Sequence, residues 1–142
     1  MMLSTHFSLA EFTVTQVRGI DNTPSPKIVE ALQETAGHME LIRSYLDHPI
    51  IVTSGYRSPE VNRRVGGSST SAHMRGRACD FICPRFGTPL QVAQAIAKSD
   101  IRLGQLIDEG HWVHCSFEGP WRKQLLTAHS GPAGTTYTDG LA

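Results

Sequence analysis

His73, Asp80 and His114 constrain this chain more than any other feature of its sequence. Two imidazoles and one carboxylate make a three-ligand set for zinc that leaves a fourth position free, and an open position separates a catalytic zinc from a structural one. The set also restricts the fold. Six residues separate His73 from Asp80, which is too loose for one helix face but suits a loop ligand followed by a strand ligand. Gly76 lets the chain turn between them. Asp80 falls in the strand predicted for Ala78 to Ile82, and His114 falls mid-strand between Trp112 and Phe117. By period-two alternation Trp112 and Ser116 share the face of His114. The His-x6-Asp spacing alone is weak, and the third ligand on a separate strand is what strengthens it. If the three converge, the chemistry is metal-assisted hydrolysis.

The rest of the chain reads as α+β: a small antiparallel sheet with helices packed on one side. Ser8 can cap a short helix beginning near Leu9. Ser25-Pro26 starts the best helix, through Leu46, with Ile28, Leu32, Ala36, Met39, Ile42 and Leu46 mostly at helical spacing. Pro49 ends it, and Ile50 to Thr53 is a β-branched strand. Ser58-Pro59 begins a brief helix through Arg64, and residues 65–70 are a Gly/Ser loop. Thr88-Pro89 opens a further helix to about Lys98. Leu103 to Glu109 and Trp112 to Phe117 are two strands joined around Gly110. The stretch from Thr127 is rich in Gly, Thr and Ser, which predicts a domain over 1–126 and a flexible tail over 127–142.

At 142 residues the chain makes one domain with a modest core. Thirteen basic residues balance thirteen acidic ones, so bulk electrostatics favours neither nucleic acid nor membrane as partner. No apolar run approaches the roughly 18 residues of a spanning helix. The N-terminus has neither a charged leader nor an apolar core, so no Sec-type signal peptide is expected. Cys79, Cys83 and Cys115 cannot all pair internally. They lie near the ligands in sequence but are expected as small buried residues.

Several segments together resemble a known family. Ser71-x-His73-x-x-Gly76-x-Ala78-x-Asp80 looks like the signature of D-Ala-D-Ala carboxypeptidase-type zinc peptidases, a group that includes the hedgehog signalling domain and lysostaphin-like enzymes. The opening Phe7-Ser8-Leu9-Ala10-Glu11-Phe12, the turn Ser54-Gly55-Tyr56-Arg57-Ser58, the loop Gly66-Gly67-Ser68 and Trp112-x-His114 match in the same order, from roughly residue 6 to 118. The resemblance implies a hedgehog/DD-peptidase-like fold with a zinc site in a cleft. It also implies hydrolysis of peptide bonds in bacterial peptidoglycan stem peptides or crosslinks by a monomeric enzyme. Compact members without a leader are often phage endolysins. The expected setting is therefore synthesis in the cytoplasm, then action on the wall after holin-type release or as part of a phage particle.

Under that resemblance His73, Asp80 and His114 bind Zn2+, which acts as a Lewis acid on the scissile carbonyl and lowers the pKa of a water toward about 7. A general base must take a proton from the water and pass it to the leaving amine. Many members carry an acidic residue three positions before the last histidine. Here that position is His111. Gln105-Leu106-Ile107-Asp108-Glu109 matches a strand pattern of the family, which favours Glu109 as base over His111 and Asp108. An imidazole base is chemically sensible at neutral pH. Arg57 would contact a substrate carboxylate or carbonyl oxygen and steady negative charge. Ser71 could donate to the peptide, orient His73 or cap the loop, and Tyr56 and Trp112 could line the cleft or serve only as core aromatics. The competing reading is a zinc-stabilised wall-binding module or virion component that has lost catalysis, kept open by His111 at the usual acid position.

Overall fold

The computed structural model describes residues 1–141. Ser8 starts α1 (Leu9–Phe12) with a reciprocal cap: its hydroxyl accepts from the Glu11 N–H at 3.2 Å, and the Glu11 carboxylate accepts from the Ser8 N–H at 3.0 Å. Phe7 and Phe12 bracket this turn, meet edge to face at 5.7 Å, and anchor the arm in the core. Ser25 caps α2 (Pro26–Leu46) through the Ile28 N–H. Leu32, Ala36, Met39 and Ile42 repeat at helical spacing and are fully buried. Burying each of the larger three contributes about 2 kcal/mol. Asp47 ends the helix in the left-handed region at φ 55°.

Then follow β1 (Ile51–Ser54), α3 (Pro59–Arg64), a 3-10 turn over Ala72–Arg75, β2 (Ala78–Ile82) and α4 (Pro89–Ala97). β3 (Gln105–Asp108), β4 (Val113–Ser116), β5 (Gln124–Gly131) and β6 (Gly134–Asp139) complete the chain. One six-stranded sheet forms in the order β1-β2-β4-β3-β5-β6. All neighbours are antiparallel except β3 and β5, which run parallel. The α+β expectation holds, with a mostly antiparallel sheet.

Alternation gives the sheet two chemically different faces. On one, Cys79 pairs with Cys115 and Cys115 with Leu106, all fully buried, beside Phe81 and Val113. The core cluster joins these to the apolar faces of α2 and α4. On the other face Asp80 stands opposite His114, and His114 opposite Ile107. Both strand ligands therefore project away from the main core.

The C-terminal stretch is a correction. In place of the flexible tail predicted over 127–142, β5 and β6 form an antiparallel hairpin that extends the sheet, and the boundary expected at 126 falls inside β5. Ala142 lies outside the described residues. Glycine and serine content suggested mobility, whereas the pairing of β5 on β3 from Gln105 to Asp108 supplies the order. A β-branched and aromatic run, Thr135-Thr136-Tyr137-Thr138, was the local strand signal in that stretch.

Candidate metal centre

His73 is placed by the turn that carries it. The Ser71 hydroxyl accepts from the His73 N–H at 3.2 Å and starts the 3-10 turn; Gly76, at φ 71°, ends it. The Gly76 carbonyl accepts from the buried Thr35 hydroxyl at 2.6 Å, tying the turn to α2. Ser71 thus caps the turn and helps to place His73.

Inside this frame the imidazole of His73 is 2% exposed. Its Nδ1 lies 2.6 Å from the Gly55 carbonyl oxygen. A carbonyl only accepts, so Nδ1 carries the proton and Nε2 presents a lone pair. That lone pair faces Asp80 Oδ1 at 3.1 Å, and Asp80 Oδ1 also lies 2.9 Å from His114 Nδ1. A lone pair pointed at a carboxylate is unfavourable unless a cation stands between them. Burial pushes the His73 pKa down, against the pull of Asp80. A metal ion held between them would supply that cation. Two donors held about 2.1 Å from a tetrahedral zinc sit roughly 3.4 Å apart, a few tenths of an ångström wider than the separations here. His73 Nε2, Asp80 Oδ1 and His114 Nδ1 fit such an ion, and all candidate donor atoms lie within 4.8 Å of one another. The orienting bond to Gly55 is the kind of outer contact that fixes tautomer and ring angle in metal sites.

Burial alone would raise the pKa of Asp80; positive charge on its His73 and His114 side outweighs that and holds the carboxyl below the usual range, and that is the position in which a metal cation would act. Its second oxygen receives Arg57 Nη2 at 3.1 Å. Arg57 is braced in turn by Ser54 Oγ at 3.2 Å and by Asn62 Oδ1 at 3.4 Å. The buried Asn62 spends its amide on the Ser68 carbonyl at 2.8 Å. The orienting roles of Gly55 and Asn62 were not legible in the sequence, because one acts through its backbone and the other through a loop contact.

Three carboxylate or imidazole candidates for the base occupy different places. Glu109 extends the β3–β4 pairing, its N–H donating to the Trp112 carbonyl at 3.0 Å. By alternation it shares the face of Ile107 and His114. It is half-buried, and burial raises its pKa, opposed by His114 and reinforced by Asp80. Asp108 falls on the opposite face and accepts from the Gly110 N–H at 2.9 Å. His111 is exposed in the turn between the strands.

A cavity of about 400 Å³ opens beside Asp80 and Arg57, walled by Val14, Thr53, Val65 and Trp112. Trp112 thus reaches the cleft. Its indole N–H is buried with no hydrogen-bond partner among the described residues. Tyr56, expected as a possible cleft residue, instead packs in the core at 8% exposure. Cys79 and Cys115 lie on the core face, and burial pushes both thiols well above their ordinary pKa. They are inert small residues there, not ligands.

Gly55 links packing to ligation. A Cβ at that position would come 2.5 Å from the Phe12 carbonyl oxygen. Gly55→Ala is therefore expected to destabilise the fold by about 2 kcal/mol and to weaken zinc retention by shifting the carbonyl that orients His73. Thermal melts with and without zinc, and zinc content after dialysis, check both effects.

Two imidazoles and a carboxylate around one point, with a half-buried glutamate on the same sheet face, define a metal-dependent hydrolase site. The chain belongs to the peptidase M15 family, whose model matches residues 5–116 and so covers all three ligands and Glu109. That family is one of zinc metallopeptidases of the D-Ala-D-Ala carboxypeptidase type, and the His73, Asp80 and His114 group is able to hold the metal. No curated protein matches the chain.

Proposed function

We propose that the chain hydrolyses peptide bonds of bacterial peptidoglycan, in stem peptides or their crosslinks, with Glu109 as general base. The observation that carries the reading is the half-buried Glu109 on the same sheet face as His114. Zinc held by His73, Asp80 and His114 supplies Lewis acidity and makes a water easier to deprotonate. Glu109 takes the proton of the attacking water and returns it to the departing amine. Arg57, held in place by Ser54, Asn62 and Asp80, keeps a fixed positive charge at the cleft wall where the carbonyl oxygen gains negative charge. Trp112 and Val14 line the cavity beside Arg57 and Asp80.

The peptidoglycan assignment is tested by digesting purified sacculi with zinc-loaded protein, beside a chelated control, and identifying the fragments by mass spectrometry. New metal-dependent peptide ends are expected, and their masses distinguish carboxypeptidase from endopeptidase cleavage. Intact sacculi with zinc bound stoichiometrically would instead favour a wall-binding module.

The raised pKa of Glu109 has a kinetic consequence. A carboxylate accepts a proton only when ionised, and a raised pKa moves loss of the ionised form to higher pH. Activity of zinc-saturated protein is therefore expected to fall as pH drops through the Glu109 pKa, burial raising that limb and a bound cation lowering it. An acid limb left unchanged in the residual activity of Glu109→Gln would count against Glu109.

A further inference from the structure

The last strand lies beyond the segment that matches the family, yet it shares the face that carries the metal ligands. β3 sets Ile107 beside Leu126 and Asp108 beside Thr127, so Glu109, one residue on, runs alongside Ala128. β5 in turn pairs Ala128 with Tyr137. By alternation Asp80, His114, Ile107, Glu109, Ala128 and Tyr137 all belong to one face. Tyr137 is thus carried to the far side of Glu109 from the cavity walled by Val14 and Trp112.

Its surroundings make a purely structural role a poor account. Every residue of β6 is exposed, and Tyr137 itself is 50% exposed. The ring is the one large apolar side chain on a strand otherwise built of Gly, Thr and Asp. Burial and then the charges of Glu109 and Asp80 raise the phenol pKa, with Arg57 opposing, which places the side chain within electrostatic reach of the site.

We propose that Tyr137 is a substrate-binding residue: the C-terminal hairpin adds a second wall to the cleft, and its tyrosine ring packs against the peptide held beside Glu109. A half-exposed aromatic ring offers apolar contact area at small entropic cost, and its hydroxyl can meet a peptide carbonyl or N–H. The inference deepens the peptidase reading and rests on it, naming a contact for the peptide rather than for the sugar of the wall.

The test measures binding rather than turnover. Zinc-loaded wild type, Tyr137→Phe and Tyr137→Ala would be titrated calorimetrically with a dipeptide hydroxamate and with acetohydroxamate, which engages the metal without a peptide. Tyr137→Ala is expected to bind the dipeptide probe about tenfold more weakly, and acetohydroxamate and zinc as wild type does. Tyr137→Phe should stay within about twofold if the ring makes the contact. Because β6 is exposed throughout, the melting temperature should be unchanged in both variants. Equal dipeptide affinity in wild type and Tyr137→Ala overturns the inference, as does a wild type that fails to bind the probe. A wild type that binds the probe but leaves sacculi intact would instead sink the peptidoglycan assignment, with Tyr137 still judged by its own comparison.

Discussion

His73→Ala is expected to yield protein that neither retains zinc through dialysis nor hydrolyses any substrate. Removing the ring deletes one of three ligands, the one fixed by a buried bond to the Gly55 backbone carbonyl. The loss extends to the fold. His73 fills a site that is 2% exposed, and its removal leaves a void, an unpaired Gly55 carbonyl, and Asp80 with one fewer partner. The metal-free variant should be about 3 kcal/mol less stable than metal-free wild type. Wild type should gain melting temperature on adding zinc, because a site formed only in the folded chain couples binding to folding. His73→Ala should gain little. Full activity in a metal-free His73→Ala protein would refute the metal centre as described.

Glu109→Gln should separate catalysis from metal binding. The amide has nearly the same shape and stands outside the ligand group, so zinc content and melting temperature should match wild type. It cannot accept the proton, and kcat should fall by about 10²–10⁴ with KM little changed. His111→Ala provides the contrast. That ring is exposed in the turn, and its removal should leave kcat within about threefold, the small effect usual for exposed positions. Loss of activity in His111→Ala with activity kept in Glu109→Gln would transfer the base to His111. Steady-state kinetics beside zinc content decides between them.

Much of the centre was legible because its parts are local. Ser71, Gly76 and the polar residue Asp80 inside an otherwise apolar strand each announce themselves within a few positions. The long helix, its serine cap and its proline start are equally local, and the observed Pro26–Leu46 differs little from the expected span. The choice among Glu109, Asp108 and His111 was not local. Neighbouring residues of one strand point to opposite faces, so a register shifted by one would have presented Asp108 instead. The observed pairing of Ile107 with His114 and Asp108 with Val113 settles which carboxylate shares the ligand face. Tyr56 illustrates the reverse error. It sits beside Arg57 in a matching turn, yet its ring faces the core while the arginine faces the cleft.

The sequence by itself determined the donor set, the caps and turns that carry it, and the α+β pattern, because these depend on residue chemistry and short spacing. Tertiary structure alone decided three further things: the tautomer of His73, through a carbonyl eighteen residues away; the face of each β3 carboxylate, through strand register; and the order of the last hairpin, through parallel pairing onto β3. Each depends on a contact between segments distant along the chain. Such a contact is set by how the layers pack, which no short stretch of residues encodes.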